Sequence, residues 1–586
     1  MTTQKPLPAL FRYIPALDSL RRYTLHDARA DVVGGLSVAA VAVPQAMAYA
    51  MIVGLPAEYG LYTAIVMTAV GALLDSSKQL INGPTNAISI ALLAAIGQVG
   101  DQTQLIQAAI FMAFFIGAIQ LAISLARLGD LTRYISHSVI VGFTAGASLL
   151  LVLDQLKNLL GQKSVGDVHD HFLVRFARSL SEGGPIHGPT LLVGLGSIAL
   201  VLALRFVKKR LGWILLPEFL IVVIVMAALT AVFRFDQLGV RVVGDIPAKL
   251  PEFALPRFDA EWLREFASSA LAIALLGLLE AIAMAKSIAA VTRQKLDLNQ
   301  QCLSEACANL AGSFFSCMPG SGSLTRSAIN QQAGARTQWA GVVSALAVAV
   351  IMLLLAPYAR FIPRAALAGL LMLTAARMVK LDDLLYHVRV SRFDAAIVVM
   401  TAVAAFAISI EFCVLIGVVL SFMLTVPRTG NMLLTEFVEA DEDHVRERLA
   451  EDKPAEDVLV FGLEGEMFFG ASTSLDQHLE SIEARVTERT KVVVMRMKRA
   501  RNPDAVGLAE FEHFLGRLRS RGVAVLLAGV RAKTRDAMER CGMLAKVDPE
   551  HVFLEQAVRQ TSTQAAMRLA RKLAGRTDVE AAGTLD

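Results

Sequence analysis

Apolar runs of bilayer-crossing length fill this chain up to Arg428 and then stop. A spanning helix needs about 20 mostly apolar residues. Ten runs approach that length: Ala30–Met51, Leu105–Ala126, Ser136–Leu156, Pro189–Val207, Ile214–Phe233, Leu263–Ala290, Gln338–Pro357, Pro363–Met378, Phe393–Ile410 and Phe412–Val426. Four are shorter or weaker: Tyr59–Leu74, Pro84–Val99, Gln301–Ser316 and Gly322–Ala333. Fourteen crossings of a multi-pass α-helical membrane protein follow. Mean hydropathy is +0.54, and only 18% of residues are charged against roughly 25% in soluble domains. The sequence divides into a short segment over 1–28, a membrane region over 29–428, a linker over 429–455, a soluble domain over 456–562 and a polar tail over 563–586 expected to be disordered. The first thirty residues lack the apolar core and cleavage site of a signal peptide.

Cations orient the crossings, because Lys and Arg concentrate in cytoplasmic loops. Arg21, Arg22 and Arg29 precede the first run, Lys78 follows the second, and Arg127 and Arg133 follow the fourth. Arg205 to Arg210 follow the sixth, Arg293 and Lys295 the eighth, and Arg377, Lys380, Arg389 and Arg392 the twelfth. The alternate loops, 161–188 and 234–262, are mixed in sign and carry Asp167, Asp170, Asp236 and Asp245. Both the N-terminus and the soluble domain therefore face the cytoplasm, which places the chain in the cytoplasmic (inner) membrane. The net charge of +4 is spread over loops and gives no basis for nucleic-acid binding. Of five cysteines, Cys302, Cys307, Cys317 and Cys413 lie in or beside apolar runs and read as small core residues; Cys541 is the fifth. No cofactor or metal motif, phosphate-binding loop or nucleophile–base pair is present, so a primary pump and a membrane enzyme are not expected.

The membrane region repeats itself. "QAMAYA" at Gln45–Ala50 matches "EAIAMA" at Glu280–Ala285, an offset of 280 − 45 = 235, and Pro84 meets Pro319 at the same offset. Seven crossings separate the partners, so the second copy is inverted relative to the first. Two Gly/Pro breaks, "INGPTNAISI" and "PGSGSLTRSAI", open the third and tenth crossings. Such breaks start half-helices near the midplane, whose free N–H groups favour an anion. The expected ligands are Thr85, Asn86, Ala87, Ser321, Gly322, Ser323, Leu324, Thr325 and Arg326, with Gly83, Gly320 and Gly322 allowing close approach. The alternative is a plain kink or a short buried loop.

Single residues sharpen this. Glu280 is a carboxylate in mid-crossing, costly there unless it faces a cavity and works, which makes it the candidate proton carrier; the alternative is pairing with Lys286 or Arg326. Arg326 has a fork suited to an oxyanion, or it reaches water, or it neutralises Glu280. Gln45 and Tyr49, one turn apart, can orient a polar ligand or bridge helices. His137, Asp154, Glu305 and Glu411 read as structural pairs or interfacial groups.

"VPQAMAYAMIVGLPAEYGLYTA", "INGPTNAISI" and "CMPGSGSLTRSAINQQAGARTQWAG", in that order, resemble the SulP sulfate-permease family, whose animal members include prestin and pendrin. The soluble region resembles a STAS domain. The resemblance implies fourteen crossings in two inverted seven-helix repeats, a core domain moving against a gate domain, and a homodimer. It also implies transport of an inorganic or organic anion: sulfate, bicarbonate, chloride, oxalate or a dicarboxylate. An uncoupled channel or exchanger is the rival. In sodium-coupled relatives an Asp at the position of Glu280 is followed one turn later by a hydroxyl residue; here Met284 stands there, which favours protons over sodium. From Asp457 the runs "DVLVFGLEG", "KVVVMRM" and "VAVLLAG" read as buried strands between amphipathic helices, an α/β sandwich. Where anti-sigma-factor antagonists carry a phosphorylatable serine, the chain reads Asp504-Ala505-Val506-Gly507, so that switch is missing.

Overall fold

The computed structural model describes every residue except 1–10, 12, 22, 130–135, 164, 166–171, 213–216, 380, 409, 442–443, 453–454, 559 and 576–586, and the side chains of 410, 411 and 441. Arg22, Arg133, Asp167, Asp170, Lys380 and the Glu411 side chain lie outside that set. The chain forms two compact units, Met1–Ser421 and Phe422–Asp586.

Each of the fourteen expected crossings contains a helix: α1 (Leu25–Val53), α2 (Ala57–Leu74), α3 (Asn86–Ile96), α4 (Gln102–Leu125), α5 (His137–Leu160), α6 (Gly188–Leu211), α7 (Glu218–Phe233), α8 (Ala267–Thr292), α9 (Leu298–Ser313), α10 (Leu324–Gln332), α11 (Trp339–Leu355), α12 (Arg364–Met378), α13 (Arg392–Ala407) and α14 (Ile410–Thr429). The short runs become the half-helices α3 and α10 because each starts only after its Gly/Pro break. Thr24 starts α1 with a capping box: its hydroxyl accepts from Asp27 N, and the Asp27 carboxylate accepts from Thr24 N. Deeper in, the buried Asp31 carboxylate accepts from the backbone N–H groups of Arg336 and Thr337, pinning α1 to the α10–α11 connection.

Helix packing sorts the crossings into two groups. One contains α1–α4 and α8–α11, with α9 on α4, α11 on α1 and α2, and α10 on α1. The other contains α5–α7 and α12–α13, with α12 on α5 and α6 and α13 on α5. Small residues permit the close crossings, as expected where lipid offers no hydrophobic drive between helices. A Cβ on Gly60 would come within 1.9 Å of the Ala46 carbonyl oxygen, and one on Gly142 within 2.5 Å of the Val398 oxygen.

Three elements depart from the sequence reading. The eighth run breaks at Phe266, so Ala260–Glu265 is a separate turn of helix capped by Asp259. The mixed loop 161–188 holds the amphipathic helix Phe172–Glu182, and Leu381–Val390 forms another before α13. Both pair apolar and charged residues at helical spacing, which a hydropathy average flattens.

In the second unit, six strands form one sheet: β3 (Leu433–Asp441), β4 (His444–Glu447), β5 (Val458–Glu466), β6 (Val492–Arg501), β7 (Ala524–Val530) and β8 (Val552–Leu554), in the order β4-β3-β5-β6-β7-β8. β5 to β8 run parallel, and β3 pairs antiparallel to β4 and β5. The supposed linker 429–455 thus supplies two strands. Helices α15 (Ser472–Arg485), α16 (Ala505–Ser520) and α17 (Ala532–Arg540) cover one face, where Leu459, Phe461 and Leu463 alternate inward. Asp504 caps α16, accepting from Gly507 N at 2.9 Å and from Phe469 N at 2.7 Å.

The expected disordered tail over 563–586 is corrected in its first part. Helix α18 (Thr561–Ala574) buries Thr563, Ala566, Met567, Ala570 and Ala574 against Val458, Val460, Val494 and Leu526 on the opposite face. Their helical spacing was masked by small and polar residues. Residues 576–586 lie outside the described set. Met567 is 3% exposed, and Met567→Ala in a buried core costs about 2–5 kcal/mol. Thermal unfolding of the soluble unit should show a clearly lowered midpoint; an unchanged midpoint would mean that α18 does not close this face.

Candidate functional site

Breaking a helix inside a membrane leaves backbone polar groups without partners, each costing several kcal/mol if unpaired. Here the two breaks satisfy each other. β1 (Asn82–Gly83) pairs antiparallel with β2 (Ser321–Gly322), with Asn82 opposite Gly322 and Gly83 opposite Ser321. Ser323 N donates to Ile81 O at 2.8 Å, extending the ladder. Antiparallel pairing brings the starts of α3 and α10 to one place from opposite directions, as an inverted repeat requires. The half-helix caps are Thr85, accepting from Ile88 N, and Ser323, accepting from Arg326 N. They lie 323 − 85 = 238 apart, so the second break is three residues longer between its proline and its cap than the offset of 235 implies.

Neighbouring side chains complete the pairing. Ser327 Oγ accepts from Ile81 N at 2.9 Å, and Thr63 Oγ1 accepts from Met318 N at 3.0 Å. The Asn309 amide accepts from Gly320 N at 3.1 Å and donates to Gly320 O at 3.2 Å. Asn330 donates to Gln79 O at 3.1 Å.

Glu280 joins the two breaks. Its Oε2 accepts from Ser321 Oγ at 2.6 Å and from Thr85 Oγ1 at 3.1 Å, and the two hydroxyls stand 3.4 Å apart. Glu280 itself remains partly exposed, whereas Thr85 and Ser321 are buried. Arg326 is fully buried and does not reach water. Its Nη2 donates to Pro84 O at 2.8 Å, crossing from the second break to the first, while Nε and Nη1 have no hydrogen-bond partner. Among the described residues Arg326 makes no ion pair, so it does not salt-bridge Glu280. The unpaired guanidinium N–H groups are the free donors an oxyanion would take.

Gln45 and Tyr49 are buried on α1, and Gln45 Oε1 has no partner. Asn86 is buried with its Oδ1 unpaired and its Nδ2 3.8 Å from Met378 Sδ. Ala87 is buried in the first turn of α3, while Leu324 and Thr325 are partly exposed in that of α10. Leu324 and Met378 border a cavity of about 90 Å³ with His137, Thr144 and Asp383. Gly322 lets α8 approach closely, since a Cβ there would come within 2.9 Å of Ala281 Cα. Gly83, at φ +142°, likewise faces protein, with Arg326 Nη1 3.0 Å from a Cβ placed there.

Of the lesser candidates, Asp154 pairs with Lys157 at 2.8 Å, as a structural reading holds. Glu305 is not interfacial: it is fully buried on α9, and its backbone carbonyl accepts from Asn309 at 3.2 Å. The sequence reading passed over Asp75. Buried at the end of α2, it accepts from Gln301 at 2.6 Å, from Ser304 at 2.7 Å and from Asn82 at 3.2 Å, fixing the strand that leads to Thr85. In sequence it is one acid at a helix end, with nothing to mark it.

Residues 29–401 match the Sulfate permease family and residues 450–558 the STAS domain. The putative sulfate transporter YvdB of Bacillus subtilis is 28% identical over 91% of this chain and 97% of its own length. The chloroplastic sulfate transporter 4.1 of Arabidopsis thaliana is 27% identical over 89% of this chain and 78% of its own. The inward-facing murine anion transporter Slc26a9 superposes with a TM-score of 0.87 at 21% identity, over 97% of this chain and 96% of that one. With the fold matched over nearly its whole length and the family matched across its membrane region, the chain belongs to the sulfate permease family and carries a STAS domain.

Proposed function

We propose that this protein is a secondary-active transporter of the cytoplasmic membrane that carries sulfate together with protons by alternating access, its STAS domain in the cytoplasm. The observation that carries the reading is the Glu280 carboxylate holding the hydroxyls of both breaks, beside a buried Arg326 with unpaired N–H groups. Sulfate entering between the half-helices needs those same hydroxyls and meets a like charge on Glu280. Protonation removes that charge and releases Thr85 and Ser321 to the anion. Proton and sulfate therefore favour each other's binding, and the coupling is reciprocal. Sulfate has little proton affinity near neutral pH, so the protein must hold the proton. Sulfate-transporter relatives and the loop cations support the substrate and the orientation. Met284, one turn after Glu280, offers no oxygen to sodium.

The test is uptake into proteoliposomes with and without an imposed pH gradient. Wild-type protein should accumulate sulfate when the outside is acidified and bind it more tightly as pH falls. Glu280→Gln should still bind sulfate, with the pH dependence flattened, and should lose gradient-driven accumulation. Unchanged accumulation in that variant would remove the proton-carrier role.

Arg326 supplies the full positive charge for a divalent anion in a low-dielectric site. Truncating one partner of a desolvated, hydrogen-bonded charge pair costs about 2–5 kcal/mol. Arg326→Ala should weaken sulfate binding by well over tenfold and a monovalent anion by less. Arg326→Lys should rescue only in part, because the fork is lost. Calorimetry on folded variants decides this; equal losses for sulfate and a monovalent anion would show that Arg326 is not the charge partner.

A further inference from the structure

Away from the half-helices, a groove of about 390 Å³ runs between α7 and the helices α1, α2 and α11. Leu220, Ile224 and Ala227 line one wall, and Met47, Ile351 and Leu355 the other. Of all its lining side chains, only that of Tyr358 carries an oxygen or nitrogen. Such a lining offers a water almost no side-chain hydrogen-bond partner. Its rim is apolar and open: Ile224 is 51% exposed, Leu355 41% and Tyr358 63%. In a bilayer that rim meets hydrocarbon.

One end of the groove is basic. Ala359, Phe361 and Ile362 line it, and between them Arg360 lays its guanidinium over the Phe361 ring at 4.9 Å. Ile362 O accepts from Val243 N at 2.9 Å, and Val242 bridges to Pro363, bringing the 241–246 segment alongside. Arg364 donates from its backbone to Arg241 O at 2.9 Å and from Nε to Val242 O at 3.0 Å. Arg241, Arg360 and Arg364 are all exposed. Among the described residues none of them forms an ion pair, and Asp245, the nearest acid in sequence, forms none either. Three unneutralised cations thus stand at the mouth of an apolar slot within the membrane region.

We propose that the groove binds an anionic phospholipid, one acyl chain between α7 and α11 and the headgroup phosphate on Arg241, Arg360 and Arg364. The apolar lining fits the chain, and the cluster fits a net-negative headgroup; an arginine beside an anionic bilayer surface contributes about fivefold in affinity, the scale expected for each arginine here. The chain leans on helices from both packing groups, so its presence bears on their relative movement.

The full-length protein, purified in detergent, is titrated with phosphatidylglycerol, phosphatidylcholine and glycerol 3-phosphate. Native mass spectrometry reads the bound molecules, and thermal melting reads stabilisation. Phosphatidylglycerol should bind more tightly than phosphatidylcholine, with a loss of about fivefold for each of Arg241→Gln, Arg360→Gln and Arg364→Gln. Ala227→Phe, which fills the slot, should weaken both lipids; if that variant is not monodisperse, Ala231→Phe replaces it. Equal binding of the two lipids would overturn headgroup recognition. Stabilisation by glycerol 3-phosphate equal to that by phosphatidylglycerol would assign the arginines to a free anion. Unchanged lipid binding in the filled variant would overturn the placement of the chain.

Discussion

Two short strands hold the membrane unit together at its centre. β1 and β2 are only two residues each, yet they let two crossings stop and restart where no water is available to take their backbone groups. Everything near them serves that need. Thr63, Asn309, Ser327 and Asn330 cap stray peptide groups, Asp75 holds Asn82, and Arg326 takes the Pro84 carbonyl. A site made this way carries few net charges but many fixed dipoles. It can attract an anion without holding it as strongly as a cluster of arginines would.

The sequence made the long helices, both breaks and the buried strands of the soluble unit legible, because each is written in apolar spacing or in Gly and Pro. Repeat logic also set the Thr85 and Ser321 breaks opposite each other, while Glu280 and Arg326 were placed beside them by their charge and by the family resemblance. Their mutual roles were harder to see. That Glu280 would hold the two hydroxyls, and that Arg326 would bond to a carbonyl instead of to Glu280, depends on distances of a few tenths of an ångström between residues 41, 195 and 242 positions apart. Asp75 left no trace at all, since its partners Gln301 and Ser304 come from α9. The glycines were read as room for a ligand, whereas Gly83 and Gly322 make room for Arg326 and α8.

In the soluble unit the errors share one cause. β3, β4 and α18 were assigned to linker and tail because apolar burial in them is sparse: none of the described side chains of β3 is fully buried, β4 buries only Val445, and α18 mixes small and polar residues. β5 and β6, covered on both faces, read as near-continuous apolar runs and were recognised at once. Ala505 occupies the first turn of α16, so the loop that bears a phosphoserine in the antagonists is here a plain capped helix start.

The bond from Arg326 to the Pro84 carbonyl also bears on how transport is biased. It ties the half-helix of one repeat to the break of the other, alongside the β1–β2 ladder. The two half-helix starts are then joined as one piece. On the proposed function, a pocket held as one piece would bind its anion with near-equal intrinsic affinity on the two sides. On that same function, direction would then be left to the gradients of proton and anion, and the same molecule would run in reverse when they do.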